Sequence, residues 1–407
     1  MIDRSAVSKI DRAAVILTLL LPLLLLHGRG IADGDLSIIG ALFLVQSGLR
    51  RDWRWLRRGW VRAVLLWWGW LVLCSLRGGT LIDSLFVIRL PLLAAALETW
   101  ILGDARVREW LARLLRWAAF YLAAQCLLQF ATGRNLFGWP RGPDGELTGA
   151  YKNPRAGGAL AQLLYPAVLP LAGTPIRGLL LLSGSVILMV MIGQRMPLLL
   201  TFLGLVTTAV LLPRLRLPVL VTAVAAGALL AALPAISPQA AHRLESKFAA
   251  QLEHLTDDQY GQLYARSLAM VRSSPIMGVG FDGFRHRCDD PRYFEGWRGD
   301  DGGGAAICAQ HPHSYYLQAT VEGGLVGLVL FATMTFTWLR TIGRGLWREP
   351  DLQRVGLFAA ALIQVWPFAS STDWVAMPLS GWFFLQLGLA LALARPYMPG
   401  QQISFEA

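Results

Sequence analysis

Residues 217–235 read LPVLVTAVAAGALLAALPA, a stretch without a single charged side chain. A helix rises about 1.5 Å per residue, so about 20 apolar residues cross the hydrocarbon core of a bilayer. Comparable blocks lie near 13–27, 31–49, 60–76, 81–102, 111–131, 156–172, 176–194, 196–212, 315–339, 353–370 and 376–394, which makes twelve expected spans. The shorter blocks must borrow flanking residues or re-enter the membrane without crossing it. The 407-residue chain is 55% apolar and only 15% charged, whereas soluble domains are about a quarter charged. Leu, Ala, Val and Trp dominate, and the alternation that a spanning β-barrel needs is absent. The expected fold class is an all-α membrane protein with about twelve transmembrane helices. The first block has a basic flank (Arg4, Lys9 and Arg12) and no small-residue cleavage site after it, so it reads as a span and not as a signal peptide.

Charge orients the bundle. With the N-terminus in the cytoplasm, 21 of the 37 lysines and arginines fall in short loops on that side, Arg50, Arg51, Arg54, Arg57, Arg58 and Arg62 among them. This is the positive-inside bias. It makes the net charge of +11 a signal of topology more than of nucleic-acid binding. Both termini are then cytoplasmic. The chain divides into 1–235 with nine spans, 236–314 as one large exported loop with helices, and 315–407 with three spans and a cytoplasmic tail.

The exported segments have their own composition. Residues 132–155 are rich in Gly and Pro and read as an ordered loop. Within 236–314, Leu244, Phe248, Leu252 and Leu255 repeat at helical spacing, and so do Tyr260, Leu263, Tyr264, Leu268 and Val271. Each stripe is expected to lie against the bundle or the other helix. Cys74 and Cys126 sit in spans and read as packing residues. Cys288 and Cys308 sit in the exported loop, in an oxidising compartment. A bond between them would close a loop of about 20 residues, stabilising by roughly 3 kcal/mol in the chain-entropy model. The alternative is two free thiols.

Several motifs are excluded. Gly278-Val279-Gly280-Phe281-Asp282-Gly283 matches a dinucleotide fingerprint, but no strand precedes it and no long helix follows. No GxSxG element, Walker loop, HExxH or zinc-like Cys/His spacing occurs.

Five of the six histidines, His242, His254, His286, His311 and His313, fall in 236–314. Imidazole exchanges protons near neutral pH, so His311 and His313, where the loop re-enters apolar sequence, suit proton transfer. The plain alternative is a pair of surface histidines. Arg195 lies in the short turn Gly193-Gln194-Arg195-Met196-Pro197, where it either binds an anion or snorkels to lipid phosphate. Arg89 falls about eight residues inside the fourth span, roughly 12 Å down its axis, and there requires a buried partner or a wet cavity. Arg266 lies off its helix's apolar stripe and is expected to face solvent or a cleft.

These residues occur in a recognisable order. Tyr264-Ala265-Arg266-Ser267 is followed by Ser274-Pro275-Ile276-Met277-Gly278-Val279-Gly280-Phe281-Asp282-Gly283-Phe284. Then come His311-Pro312-His313-Ser314-Tyr315-Tyr316-Leu317-Gln318 and Glu322-Gly323-Gly324-Leu325-Val326-Gly327. The order Arg, PxxGxG, HxHSxYLQ, EGGLxG resembles the O-antigen ligase and polymerase superfamily of bacterial envelope glycosyltransferases. Lys152-Asn153-Pro154 and Gln194-Arg195 resemble two further marks of that group, so the likeness extends over about residues 125–394. A single large exported loop late in the chain is most similar to the ligases. Polymerases of the group split their exported loops, and relatives that glycosylate proteins are longer at the C-terminal end.

The resemblance implies the multi-spanning (C-type) glycosyltransferase fold in the bacterial inner membrane, with its active site facing the periplasm. It implies a donor glycan on undecaprenyl pyrophosphate, lipid A–core as acceptor, membrane lipids around the bundle, and neither metal, cofactor, nucleotide sugar nor nucleic acid. His313 corresponds to the family's key histidine and would be the general base, with His311 the lesser candidate. Arg195 and Arg266 match the two arginines that hold the pyrophosphate. Lys152 and Arg155 would help recruit an anionic substrate, Asp373 would orient a base or an arginine, and Arg89 would support the site. Two positions depart from the pattern: Ser314 stands where Asn often follows the motif histidine, and Arg155 where relatives often carry a second Asn. O-antigen polymerase, protein O-glycosylation and a transporter of lipid-linked glycan are the alternatives, the last opposed by the lack of repeated broken-helix halves.

Overall fold

The computed structural model describes residues 4–142, 144–236, 241–242, 244, 259–293, 308, 311–369 and 372–395. His254 and most of the first loop stripe, Phe248, Leu252 and Leu255, lie outside them; Leu244 is buried. The chain runs α1 (Arg4–His27), α2 (Arg29–Arg50), α3 (Gly59–Gly78), α4 (Leu81–Phe86), α5 (Arg89–Thr99), α6 (Ala105–Thr132), α7 (Ala156–Val168) and α8 (Pro175–Ile192). It continues through α9 (Arg195–Leu211), α10 (Arg216–Ile236), α11 (Gln259–Ser273), α12 (Gly283–Arg287), α13 (Tyr315–Ile342), α14 (Leu352–Gln364) and α15 (Leu379–Leu393). Among the described residues there is no strand, only an isolated bridge between Arg134 and Pro140. Asp104, Thr174, Ser314 and Asp351 place side-chain oxygens on the first free N–H groups of α6, α8, α13 and α14, as N-caps do.

The twelve apolar blocks are not twelve equal crossings. Among the described residues, eight stretches are helical, long and apolar enough to span a membrane. Four are shorter, at 10–17 residues: Ala156–Leu171, Arg195–Leu211, Leu352–Gln364 and Leu379–Leu393. α7 and α15 are buried along nearly their whole length, with α7 packed by α6, α9 and α14, and α15 packed by α5 and α14. The longer helices surround them and turn Leu66, Ile176, Leu180, Leu217, Val224, Val329 and Phe336 outward. So much exposed apolar surface would be a liability in water; it suits a multi-pass protein in lipid.

At the opposite end from the site described below, two buried carboxylates gather loop cations. Asp11 accepts from Gln46, Arg50 and the Trp100 indole, all within 3.1 Å. Glu98 accepts from Arg395 at 3.1 Å and the Trp60 indole at 2.8 Å.

Two helices break, and both breaks matter. The fourth block, expected as one span, divides after Phe86, and the freed Phe86 carbonyl accepts from Arg89 at 2.7 Å. α13 breaks at Gly324, whose φ is +65°. A break in the helical ladder orphans carbonyls that must find other donors. The Val321 carbonyl accepts from Val279 N at 2.9 Å and the Glu322 carbonyl from Gly280 N at 3.0 Å. The Gly323 carbonyl accepts from the Trp70 indole at 2.7 Å, and Leu325 N donates to the Pro275 carbonyl at 2.7 Å. The PxxGxG segment is therefore stapled along the broken helix, which is the physical content of the two glycine motifs. A Cβ on Gly324 would lie 2.7 Å from Met277 N, in a backbone region reserved for glycine. Gly324→Ala is expected to cost at least about 2 kcal/mol, read as a lower thermal midpoint in detergent. An unchanged midpoint would show that the staple contributes nothing to stability.

Candidate functional site

The second histidine of the His-Pro-His motif ends the loop that precedes α13. His313 is half-buried, with φ +52°, a left-handed conformation uncommon outside glycine. Such backbone is held in place only where the surroundings determine it, and it concentrates at working sites. Ser314 follows as the N-cap of α13, its Oγ accepting from Leu317 N at 3.4 Å. The His311 and His313 rings lie 4.3 Å apart, centroid to centroid.

One turn into α13, Gln318 opens a buried polar ring. Its amide donates to Asp373 at 2.9 Å and to Glu322 at 3.0 Å, and its carbonyl accepts from Trp374 N at 3.3 Å. Glu322 also accepts from Asp282 N at 3.0 Å. Arg285 closes the circuit, 3.1 Å from Asp282 and 3.9 Å from Asp373. Burial raises the Asp282 carboxyl above its ordinary range and Asp373 adds to this, against the pull of Arg285 and His286. Asp373 is held by its neighbour. Trp374 packs among Trp67, Phe331, Trp338, Phe383 and Phe384, stacked on Trp338 at 5.9 Å.

Arg266 departs from expectation. It is only 3% exposed, and the buried face of α11 is Leu263, Arg266, Ser267 and Met270, while Tyr264 and Leu268 are exposed. The face is rotated from the apolar stripe because sulphur and carbonyl groups accommodate the guanidinium. Cys288 and Cys308 are joined, and Arg266 Nη1 lies 3.3 Å from Cys308 Sγ and 3.4 Å from the Cys288 carbonyl. Phe284, Cys288, Tyr293, Cys308 and Val321 complete this small core. Replacing both cysteines by serine is expected to remove up to about 3 kcal/mol through loop-closure entropy, lowering the thermal midpoint while leaving measurable turnover. Turnover lost with no fall in the midpoint would mean the bridge acts in the chemistry.

Arg195 is the first residue of α9 and half-buried. Its neighbour Gln194 donates to the Pro154 carbonyl at 2.8 Å, which docks the turn on the loop before α7. Arg155, next in that loop, donates to the Met377 carbonyl, and Lys152 sits 5.0 Å over the Trp139 ring. Burial lowers the Arg155 pKa, and the nearby Arg29 lowers it further. Hydrogen bonds thus tie the turn before Arg195 to the loop before α7, and Arg155 of that loop to Met377, in the same turn as the Asp373 that holds Gln318 of α13. Arg89 pairs with Asp33 at 3.0 Å, but that carboxylate is 40% exposed, so the pair is not a buried one. It shares a pocket of about 510 Å³ with Asp282, Arg285 and Asp373.

Gln318, Glu322, Asp282 and Arg285 escaped the reading of the sequence as site residues. Gln318 and Glu322 stood within the quoted motifs at i, i+4, a spacing that puts two polar groups on one helix face. Gln129 and Asn135 were likewise missed. Gln129 is buried and donates to Trp139 O, Pro140 O and Thr148 Oγ1 while accepting from Thr148 N; Asn135 accepts from Phe137 N and Trp139 N. Together they satisfy the backbone of the Gly- and Pro-rich loop.

Among the described residues, no group of three or more His, Cys, Asp or Glu side chains is placed to hold a metal ion. Residues 179–332 match the family model described as O-antigen ligase, a region that includes Arg195, Arg266, the stapled glycine segment and His313. No curated protein matches the chain.

Proposed function

The chain is a member of the O-antigen ligase superfamily, and on that footing we propose that it moves an O-antigen glycan from undecaprenyl pyrophosphate to a sugar hydroxyl of lipid A–core. The site would face the periplasm from the inner membrane, with both termini cytoplasmic. That orientation is supported by the basic residues of the opposite loops.

His313 would take the proton of the acceptor hydroxyl as its oxygen forms a bond to the donor's anomeric carbon. The bond from that carbon to the pyrophosphate oxygen breaks, and the pyrophosphate leaves with the electron pair. One displacement inverts the anomeric centre. Arg195 would hold the departing pyrophosphate by charge-assisted hydrogen bonds. Arg266 would act from beneath the disulfide, where low dielectric extends the reach of its charge, and would brace the loop that carries the base. The polar ring of Gln318, Glu322, Asp282, Arg285 and Asp373 would fix the start of α13. The observation that carries this reading is the left-handed His313 at that helix start, on the end of the bundle that also bears Arg195.

The test supplies purified protein with lipid-linked glycan and rough lipopolysaccharide, and follows a ladder on a gel. A ladder on lipopolysaccharide, undiminished by EDTA, is expected. Longer lipid-linked glycan with no transfer to lipopolysaccharide would make the protein a polymerase. Loss in EDTA restored by Mg²⁺ would overturn the metal-free mechanism.

A further inference from the structure

Beside these residues, the α1–α2 junction and the 133–155 loop enclose an open pocket of about 700 Å³. His27, Arg29, Lys152 and Arg155 line it together with Phe137 and Trp139, and no carboxylate does. Several cations elsewhere meet carboxylates: Arg58 and Arg395 meet Glu98, Arg89 meets Asp33, and Arg285 meets Asp282. Here Arg155 leans on a neutral carbonyl and Lys152 on an indole face. Arg29 is close enough to disfavour the charge on Arg155. Concentrated like charge of this kind is relieved by a bound anion.

We propose that this pocket binds the acceptor as a glycolipid whose sugars carry phosphate, with the cations on the phosphate and the two aromatic rings against the sugar faces. The proposal rests on the ligase reading above and deepens it. Arg195 is already assigned to the donor's pyrophosphate, and a two-substrate transfer needs a second site. The volume falls in the range of pockets that take small organic ligands and exceeds what one phosphate fills. Phe137 is 50% exposed and Trp139 39% exposed, so each presents a flat apolar face that a lipid headgroup alone would leave unused. The wall is also preorganised. Gln129 and Asn135 hold the Trp139 backbone, and the buried Tyr151 accepts from the Trp382 indole at 3.1 Å.

The test is native mass spectrometry of the full chain in detergent. The probes are rough lipopolysaccharide, the same glycolipid with its phosphates removed, phosphatidylglycerol, and the lipid-linked donor. Wild type is expected to bind the phosphorylated glycolipid at least about tenfold tighter than the dephosphorylated one, the worth of one charge-assisted contact. The exposed pair Arg29→Gln with Lys152→Gln should lose that preference and still bind the donor, which also shows that it folds. Trp139→Ala should weaken both glycolipids alike. Equal binding of the two glycolipids by wild type would overturn the proposal, as would an unchanged preference in the double variant. Phosphatidylglycerol displacing the glycolipid at equal concentration would assign the pocket to membrane lipid instead. Phosphate-dependent binding without any glycan transfer would sink the ligase assignment while leaving the pocket's ligand class standing.

Discussion

His313→Asn is expected to lower glycan transfer by about 10²–10⁴-fold, the range of a positioned general base, while insertion and thermal midpoint stay near wild type. Asparagine is the informative replacement because it tolerates the left-handed backbone that position 313 adopts. Loss of activity then reports the imidazole and not a misfolded turn. Alanine at the same place should be equally inactive but less stable. His311→Ala is the companion, since the two rings lie 4.3 Å apart and either could reach a hydroxyl. It should keep most of the activity. The reverse pattern, His311→Ala dead and His313→Asn active, would move the base to His311.

Arg195→Lys should cost about 10²–10³-fold in turnover, typical for removing one preorganised electrostatic contact to a developing charge. Lysine keeps the charge but loses the planar fork that meets two phosphate oxygens at once. The side chain begins α9, so the helix N-terminus adds its own partial positive charge toward the same anion. The loss should appear in turnover more than in donor affinity, because the leaving group gains charge only as the bond breaks. A lysine variant with full turnover would argue against bidentate contact and leave Arg195 as a lipid anchor.

Much of the architecture was legible because a bilayer imposes a long apolar period. The blocks that hold α1, α2, α3, α6, α8, α10 and α13 could be read off directly. What hydropathy cannot express is which apolar helix is central. α7 and α15 are as apolar as their neighbours, yet they are short and enclosed. The break after Phe86 was legible in principle from Pro91, which cannot donate to the Val87 carbonyl and sits in the first turn of α5, but the long apolar block masked it. The candidate residues fared differently. His313, Arg195 and Asp373 lie in turns at one end of the bundle, where a motif or a lone charge stands out against apolar sequence. Arg266 was expected to face solvent or a cleft, and its burial was not foreseen because a helical wheel counts hydrophobic side chains. Here the groove that accepts the guanidinium is made of a disulfide and a carbonyl from residues 22 and 42 positions away. The pocket around Arg29 and Lys152 was illegible on principle. Its cations come from segments more than a hundred residues apart, and only the fold brings them together.

The staple between the broken α13 and residues 275–280 also bears on how such a chain can be made. Translation delivers residues 275–280 before α13, so for an interval they exist without the carbonyls that receive Val279 N and Gly280 N. Conversely, α13 enters the membrane carrying three main-chain acceptors that its own helix cannot satisfy. Neither piece is finished without the other. Folding of this region therefore needs a joining step, in which residues 275–280 dock onto the newly arrived helix, and α14 and α15 have still to be added after it. A chain halted before Gly324 would lack the break, α14 and α15, and with them the Asp373 partner of Gln318, so the polar ring and the staple can be completed only when most of the chain has been made.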